Sequence, residues 1–231
     1  MHVAANLAAI RRRIDECCDE VGRSRETVSL LAVSKTVDLP RIEAAYQAGQ
    51  RLFGESRQQE AESKVASLPS DVEWHFIGKL QRNKVRKVLT QFSVIHSIDS
   101  PKLARHVDRI ASELGLKPKV FLEVNIASET SKSGFEVDEL KSEFEALSQL
   151  EHLDIAGLMA IPPDEEDPAR AAEWLRRVRE VRDDLQSGSG LVLKELSMGM
   201  SGDYEEAIRQ GSTLVRIGSS IFGERSYSIP A

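Results

Sequence analysis

Eight short β-branched or apolar runs, each followed by a segment with helical spacing, predict a single (β/α)8 TIM barrel with an extra N-terminal helix. The length of 231 residues agrees, since such barrels typically need about 250. Strict alternation also fits a doubly wound sheet, and pattern alone leaves that alternative open. Either arrangement puts chemistry at the C-terminal ends of the strands.

The opening helix is written by Leu7, Ile10, Ile14, Cys17 and Val21, three or four apart on one face, with Gly22 as its stop. Residues 28–35 then read as a strand, followed by a helix from the cap Asp38 to Gly49. Residues 51–55 and 72–77 are strands, with helices over 57–68 and 80–89 after them. Residues 92–98 form the fourth strand, and Ser100-Pro101 caps a helix that stops near Gly115. In the second half, strands at 119–125 and 153–161 precede helices at 138–150 and from Asp167-Pro168 to Gly188. A strand at 193–197, a short helix at 204–210 and a last strand at 214–222 complete the pattern.

Hydrophobic residues make up 41% and charged residues 29%, the balance of a soluble globular protein. With 31 Lys and Arg against 37 Asp and Glu, the net charge of −6 gives no global support for a nucleic-acid or anionic-membrane partner, though it leaves room for a local basic patch. Aromatics at 5% are too sparse for a base-stacking surface. No apolar run approaches the roughly 20 residues of a membrane span. The first apolar stretch precedes Arg11-Arg12-Arg13, the reverse of a secretory signal. Cys17 and Cys18 are adjacent and most simply pack in the core; they build neither a disulfide framework nor a zinc site, so the expected compartment is the reducing cytoplasm.

No phosphate loop or metalloprotease motif occurs, and Gly188-Ser189-Gly190 precedes a strand, which makes it a turn and not a dinucleotide fingerprint. The five histidines are scattered without ligand spacing, so no metal is expected. The most informative residue is Lys35, at the end of the first strand. It shares a face with Val33 and Leu31; if that face is inward, its amine emerges partly desolvated at the barrel mouth, a usable nucleophile toward carbonyls. A solvated strand-end lysine is the plain alternative. Ser197-Met198-Gly199-Met200-Ser201-Gly202 follows the seventh strand, and Ser201 stands where a helix begins. Arg216-Ile217-Gly218-Ser219-Ser220 lies on the eighth. Each stretch alone reads as a turn, but barrels often build a phosphate site after strands seven and eight. Lysine and anion cradle together suit a phosphorylated carbonyl: a sugar phosphate or pyridoxal 5′-phosphate (PLP). Arg216, two residues before Gly218, points to the same side, where a permanent cation would keep a pyridine nitrogen unprotonated.

The same residues carry a family resemblance. Leu31-Ala32-Val33-Ser34-Lys35-Thr36, Phe53-Gly54-Glu55, Trp74-His75-Phe76-Ile77-Gly78, Ile95-His96-Ser97, Gly157-Leu158-Met159-Ala160, Leu196-Ser197-Met198-Gly199-Met200-Ser201 and Val215-Arg216-Ile217-Gly218 run in order through nearly the whole chain and resemble the pyridoxal phosphate homeostasis protein family. The resemblance implies a barrel like the N-terminal domain of alanine racemase. It also implies PLP held as a Schiff base on Lys35, the phosphate on Ser201, Gly218 and Ser219, and Arg216 facing the pyridine nitrogen. Ser56, His75, Met198 and Gly199 are further pocket candidates on the same ground. Ser56 departs from the family's asparagine, so a contact near the cofactor is lost or water-mediated; Ser219 keeps the hydroxyl of the usual threonine. Lys132, in the loop after strand five, is either a second amine for PLP or an exposed lysine.

The implied role is a PLP carrier or regulator in vitamin B6 homeostasis, with PLP-accepting apoenzymes as recipients and no established turnover; a monomer is expected because a small barrel can be self-sufficient. Racemase chemistry needs an acid/base group on each face of the ring, and residues 1–231 are taken up by one barrel domain, with nothing left for the second domain that alanine racemase uses. A weak PLP-dependent racemase or lyase using Lys35, and a class I aldolase-like Schiff-base enzyme, are the alternatives.

Overall fold

The strand ends that carry Lys35 and Arg216 are neighbours because the sheet closes on itself. In the computed structural model, which describes residues 2–165, 167–189 and 191–223, eight parallel strands pair in chain order into a closed barrel. They are β1 Ser29–Val33, β2 Leu52–Glu55, β3 Glu73–Phe76, β4 Val94–Ile98, β5 Lys119–Val124, β6 Asp154–Ala160, β7 Glu195–Ser197 and β8 Leu214–Ile217. The last strand pairs with the first, Leu31 opposite Arg216, and that pairing decides for the barrel over the doubly wound sheet.

The helices are α1 Val3–Glu20, α2 Leu39–Gln47, α3 Gln58–Ser67, α4 Val85–Leu89, α5 Pro101–Leu114, α6 Val137–Ser148, α7 Pro168–Ser189, α8 Tyr204–Arg209 and α9 Ser219–Phe222. Their starts follow the sequence chemistry. The Asp38 carboxylate accepts from the Arg41 N–H, and Ser100 accepts from Leu103 with Pro101 in the first turn. The extra helix α1 buries Leu7, Ile10, Ile14, Cys17 and Cys18. It is pinned by Asn6 Nδ2 donating to the Ile221 carbonyl at 3.0 Å and by an Arg13–Glu205 ion pair at 2.6 Å. Burial pushes both thiols upward in pKa, so they stay protonated packing groups. Among the described residues no helix is long and apolar enough to cross a membrane.

Most of the apolar core lies between strands and helices, whereas inside the barrel Val94, Phe121 and Met159 form a small separate layer. Above that layer the interior turns polar toward the C-terminal mouth.

Three expectations need correction. The run at 214–222 is not one strand: β8 stops at Ile217, and Ser219–Phe222 turns into α9. A short apolar run carries no periodicity that separates strand from helix. Ser201 does not begin a helix, because α8 starts at Tyr204 behind Asp203. Gly188 and Ser189 are the last turn of α7 and not a loop, while Gly190 lies outside the described residues.

Candidate functional site

At the C-terminal mouth a cavity of about 260 Å³ is lined by Val33 at the end of β1, Lys35 in the turn after it, Ser201 from the β7–α8 loop, Arg216 of β8, and Gly218 and Ser219 at the start of α9. His96 of β4, Met159 of β6 and Ile161 just beyond it also face the cavity. Five candidates thus share one cavity: Lys35, Ser201, Arg216, Gly218 and Ser219.

Lys35 is half-buried, in a turn that its neighbours hold tightly. Thr36 has φ 62°, a left-handed conformation that a β-branched residue rarely adopts. Its N–H donates to Glu60 Oε1 at 2.5 Å. On the other side of Lys35, the Ser34 carbonyl accepts from Lys64 Nζ at 2.9 Å, and Ser34 Oγ donates to Glu55 Oε1 at 2.6 Å. Lys64 closes the cluster, 2.9 Å from Glu55 Oε1 and 2.8 Å from Glu60 Oε1. Lys64 and Glu55 are both buried. Burial pushes the Glu55 carboxyl up in pKa despite Lys64 and Ser34. Burial acts the same way on Glu60, but bonds from Lys64 and Thr36 outweigh it and hold that carboxyl below its usual range.

The opposite wall is anchored by Arg216. Its guanidinium is buried and donates to the Ser197 carbonyl at 2.6 Å, Ser197 Oγ at 2.8 Å and the Ala160 carbonyl at 2.9 Å. Burial lowers its pKa to about 10, with Asp203 and Glu123 pulling the other way, so it is charged at neutral pH.

Beneath the cavity a polar chain crosses the barrel. His96 Nδ1 is 2.9 Å from Ser197 Oγ, His96 Nε2 is 2.9 Å from His75 Nδ1, and His75 Nε2 is 3.1 Å from Glu73 Oε1. Arginine only donates and a carboxylate only accepts, so at the two ends of the chain Ser197 Oγ accepts from Arg216 and His75 Nε2 donates to Glu73. Burial, with His75 and Arg216 adding to it, holds the His96 pKa well below the usual range and keeps that ring neutral.

The remaining candidates sit elsewhere. His75 lies behind His96 and is not part of the cavity wall. Met198 is fully buried in the core. Gly199 has φ 93°, and a Cβ there would come 2.5 Å from the Ala207 Cβ; its carbonyl accepts the Arg216 N–H at 2.9 Å. It therefore serves the close approach of α8 and the register of β8. Ser56 lines a different groove, with Arg57 and Lys79. Lys132 faces a neighbouring cavity, ion-paired with Glu129 at 2.6 Å. Reasoning from sequence missed His96 as a wall residue. The available signal was its place on β4, two residues beyond the interior Val94.

The family model described as alanine racemase, N-terminal domain, matches residues 5–226. A pyridoxal phosphate homeostasis protein of Aquifex aeolicus is 40% identical over 228 residues, 98% of this chain and 100% of that protein. Two solved structures of PipY from Synechococcus elongatus cover 96% of this chain and 100% of their own. The form without PLP has a TM-score of 0.88 at 41% identity, and the form with PLP bound 0.86 at 40%.

Proposed function

The chain belongs to the pyridoxal phosphate homeostasis protein family, and we propose that it holds PLP at the barrel mouth as an intracellular carrier that yields it to other amines. The convergence of Lys35, Ser201, Gly218, Ser219 and Arg216 on one cavity carries this reading. The residues suit such a ligand. Ser201 and Ser219 bring two hydroxyls 3.1 Å apart, and a Cβ at Gly218 would press within 3.2 Å of the Val33 carbonyl, so bare backbone forms that wall. When bound, PLP supplies an aldehyde that condenses with a primary amine and a ring that withdraws electrons.

In this role Lys35 presents its amine from a turn fixed on both sides. Ser201, Gly218 and Ser219 hold the phosphate. Arg216, charged at neutral pH, opposes a proton on a ring nitrogen placed against it. One barrel domain acting as a monomer in the cytoplasm suffices for the task, with PLP-accepting apoenzymes as recipients. The buried thiols of Cys17 and Cys18 suit a reducing compartment.

Borohydride reduction of the PLP-treated protein, followed by peptide mass spectrometry, tests the assignment. The expected adduct is on Lys35, with none in Lys35→Ala; an adduct at another lysine in the native protein, or trapping of a sugar phosphate in place of PLP, overturns it. For the phosphate, each hydroxyl bond to a charged group contributes about 1.5–3 kcal/mol. Ser201→Ala combined with Ser219→Ala should therefore raise the Kd for PLP at least about a hundredfold and leave that for phosphate-free pyridoxal unchanged. Equal effects on the two ligands in a binding titration would remove these serines from the phosphate site.

A further inference from the structure

Beside the first cavity lies a second of about 260 Å³, and Ile161 belongs to the walls of both. Glu123, Asn125, Lys132 and Ser133 line it. The loop that roofs it is tied to β5: the Phe135 N–H donates to the Glu123 carbonyl at 2.7 Å, and the Phe135 carbonyl accepts from Asn125 N–H at 2.9 Å.

Of the charged side chains in this wall, Glu123 keeps the most unused bonding capacity. Lys132 Nζ donates to the carbonyls of Pro162 and Ile161 at 3.2 and 3.3 Å and is ion-paired with Glu129 Oε1 at 2.6 Å, so its charge is already matched. The Asn125 amide donates to the Glu129 carbonyl and to Glu136 Oε1, and its oxygen accepts from the Glu129 N–H. A carboxylate can accept about four bonds. Among the described residues, Glu123 receives one, from Ser133 Oγ at 3.1 Å. It is only 8% exposed and shares the inward face of β5 with Phe121. Burial pushes its carboxyl up in pKa, and Asp99 adds to that push against Ser133, Arg216 and Lys79. A desolvated carboxylate on a cavity wall with few donors is best satisfied by a cation that also donates hydrogen bonds.

We infer that Glu123 forms a binding site for a primary ammonium group on a short aliphatic stem. Such a group brings three N–H donors and a charge opposite to that of the carboxylate; a quaternary ammonium brings the charge without the donors. Resting on the proposal that PLP fills the adjoining cavity, the site would seat the incoming amine that takes the cofactor from Lys35.

The test uses the cofactor-free protein with ¹³C-labelled glutamate carboxyls, the Glu123 resonance being identified by its loss in Glu123→Gln. Propylammonium should shift that resonance saturably, and tetramethylammonium should not. Glu123→Gln should raise the Kd for propylammonium, followed by backbone amide shifts, at least tenfold. Equal, unsaturable shifts with the two ions, or unchanged affinity in Glu123→Gln, overturn the inference. Should that variant fail to fold, the comparison of the two ions on the native protein still decides. Saturable binding of L-alanine supports a free amino acid as the source; binding of Nα-acetyl-lysine methylamide alone supports a lysine side chain. Binding of neither, with propylammonium also inert, overturns the site. No cofactor is present, so adduct formation on Lys35 together with absent ammonium binding rejects this inference and leaves the PLP proposal standing.

Discussion

Lys64→Met should cost the fold about 3–5 kcal/mol at neutral pH, because it leaves the buried Glu55 carboxylate without its counter-charge. Ser34 Oγ would be its remaining donor, and Glu55 Oε2 is already buried without a partner among the described residues. The loss should shrink in acid. Glu55 has a folded-state pKa raised above the ordinary 4.5, and removing Lys64 raises it further. A group raised on folding contributes stability that is fully present below its unfolded value and is lost as pH rises through its folded value. Glu60, held low in the native protein, loses its lysine as well, and that part of the deficit also fades as both states protonate. Urea midpoints of the two proteins at neutral pH and near pH 4.5 measure the difference. An equal deficit at both would mean that the stranded carboxylate is not the cause.

Arg216→Met should destabilise by about 2–4 kcal/mol, since each buried acceptor left unpaired costs about 1–3 kcal/mol and relief of the buried charge offsets part of the total. Three acceptors lose their donor: the Ser197 and Ala160 carbonyls and Ser197 Oγ. Glu73, which only accepts, still makes His75 Nε2 a donor, so the imidazole end of the chain keeps its bond. Denaturant unfolding reads the loss of stability. Arg216→Lys, which keeps the charge on one donor head, should fall between. Native stability in Arg216→Met would mean that these bonds do not hold the wall.

The strand–helix alternation, the caps at Asp38 and Ser100 and the strand-end positions of Lys35, Gly218 and Arg216 were all readable along the chain, because each follows from local backbone geometry or from spacing within one element. Others were not. Glu60 and Lys64 look like an ordinary surface pair four residues apart on a helix. They become a buried clamp on the Lys35 turn only because α3 packs over the ends of β1 and β2 and brings Glu55 and Ser34 to the same ammonium. His75 and His96, 21 residues apart, show no ligand spacing; parallel pairing of β3 and β4 brings their rings together inside the barrel.

Periodicity and capping act over a few residues, so the alternation, the helix starts and the side chains near strand ends follow from the order of residues alone. Closure of the sheet, the sharing of one cavity by those side chains and the stripping of water from particular carboxylates arise only in the packed fold. Desolvation and hydrogen-bond partnership depend on what other segments cover, and here those segments meet across most of the chain, as Leu31 of β1 does opposite Arg216 of β8.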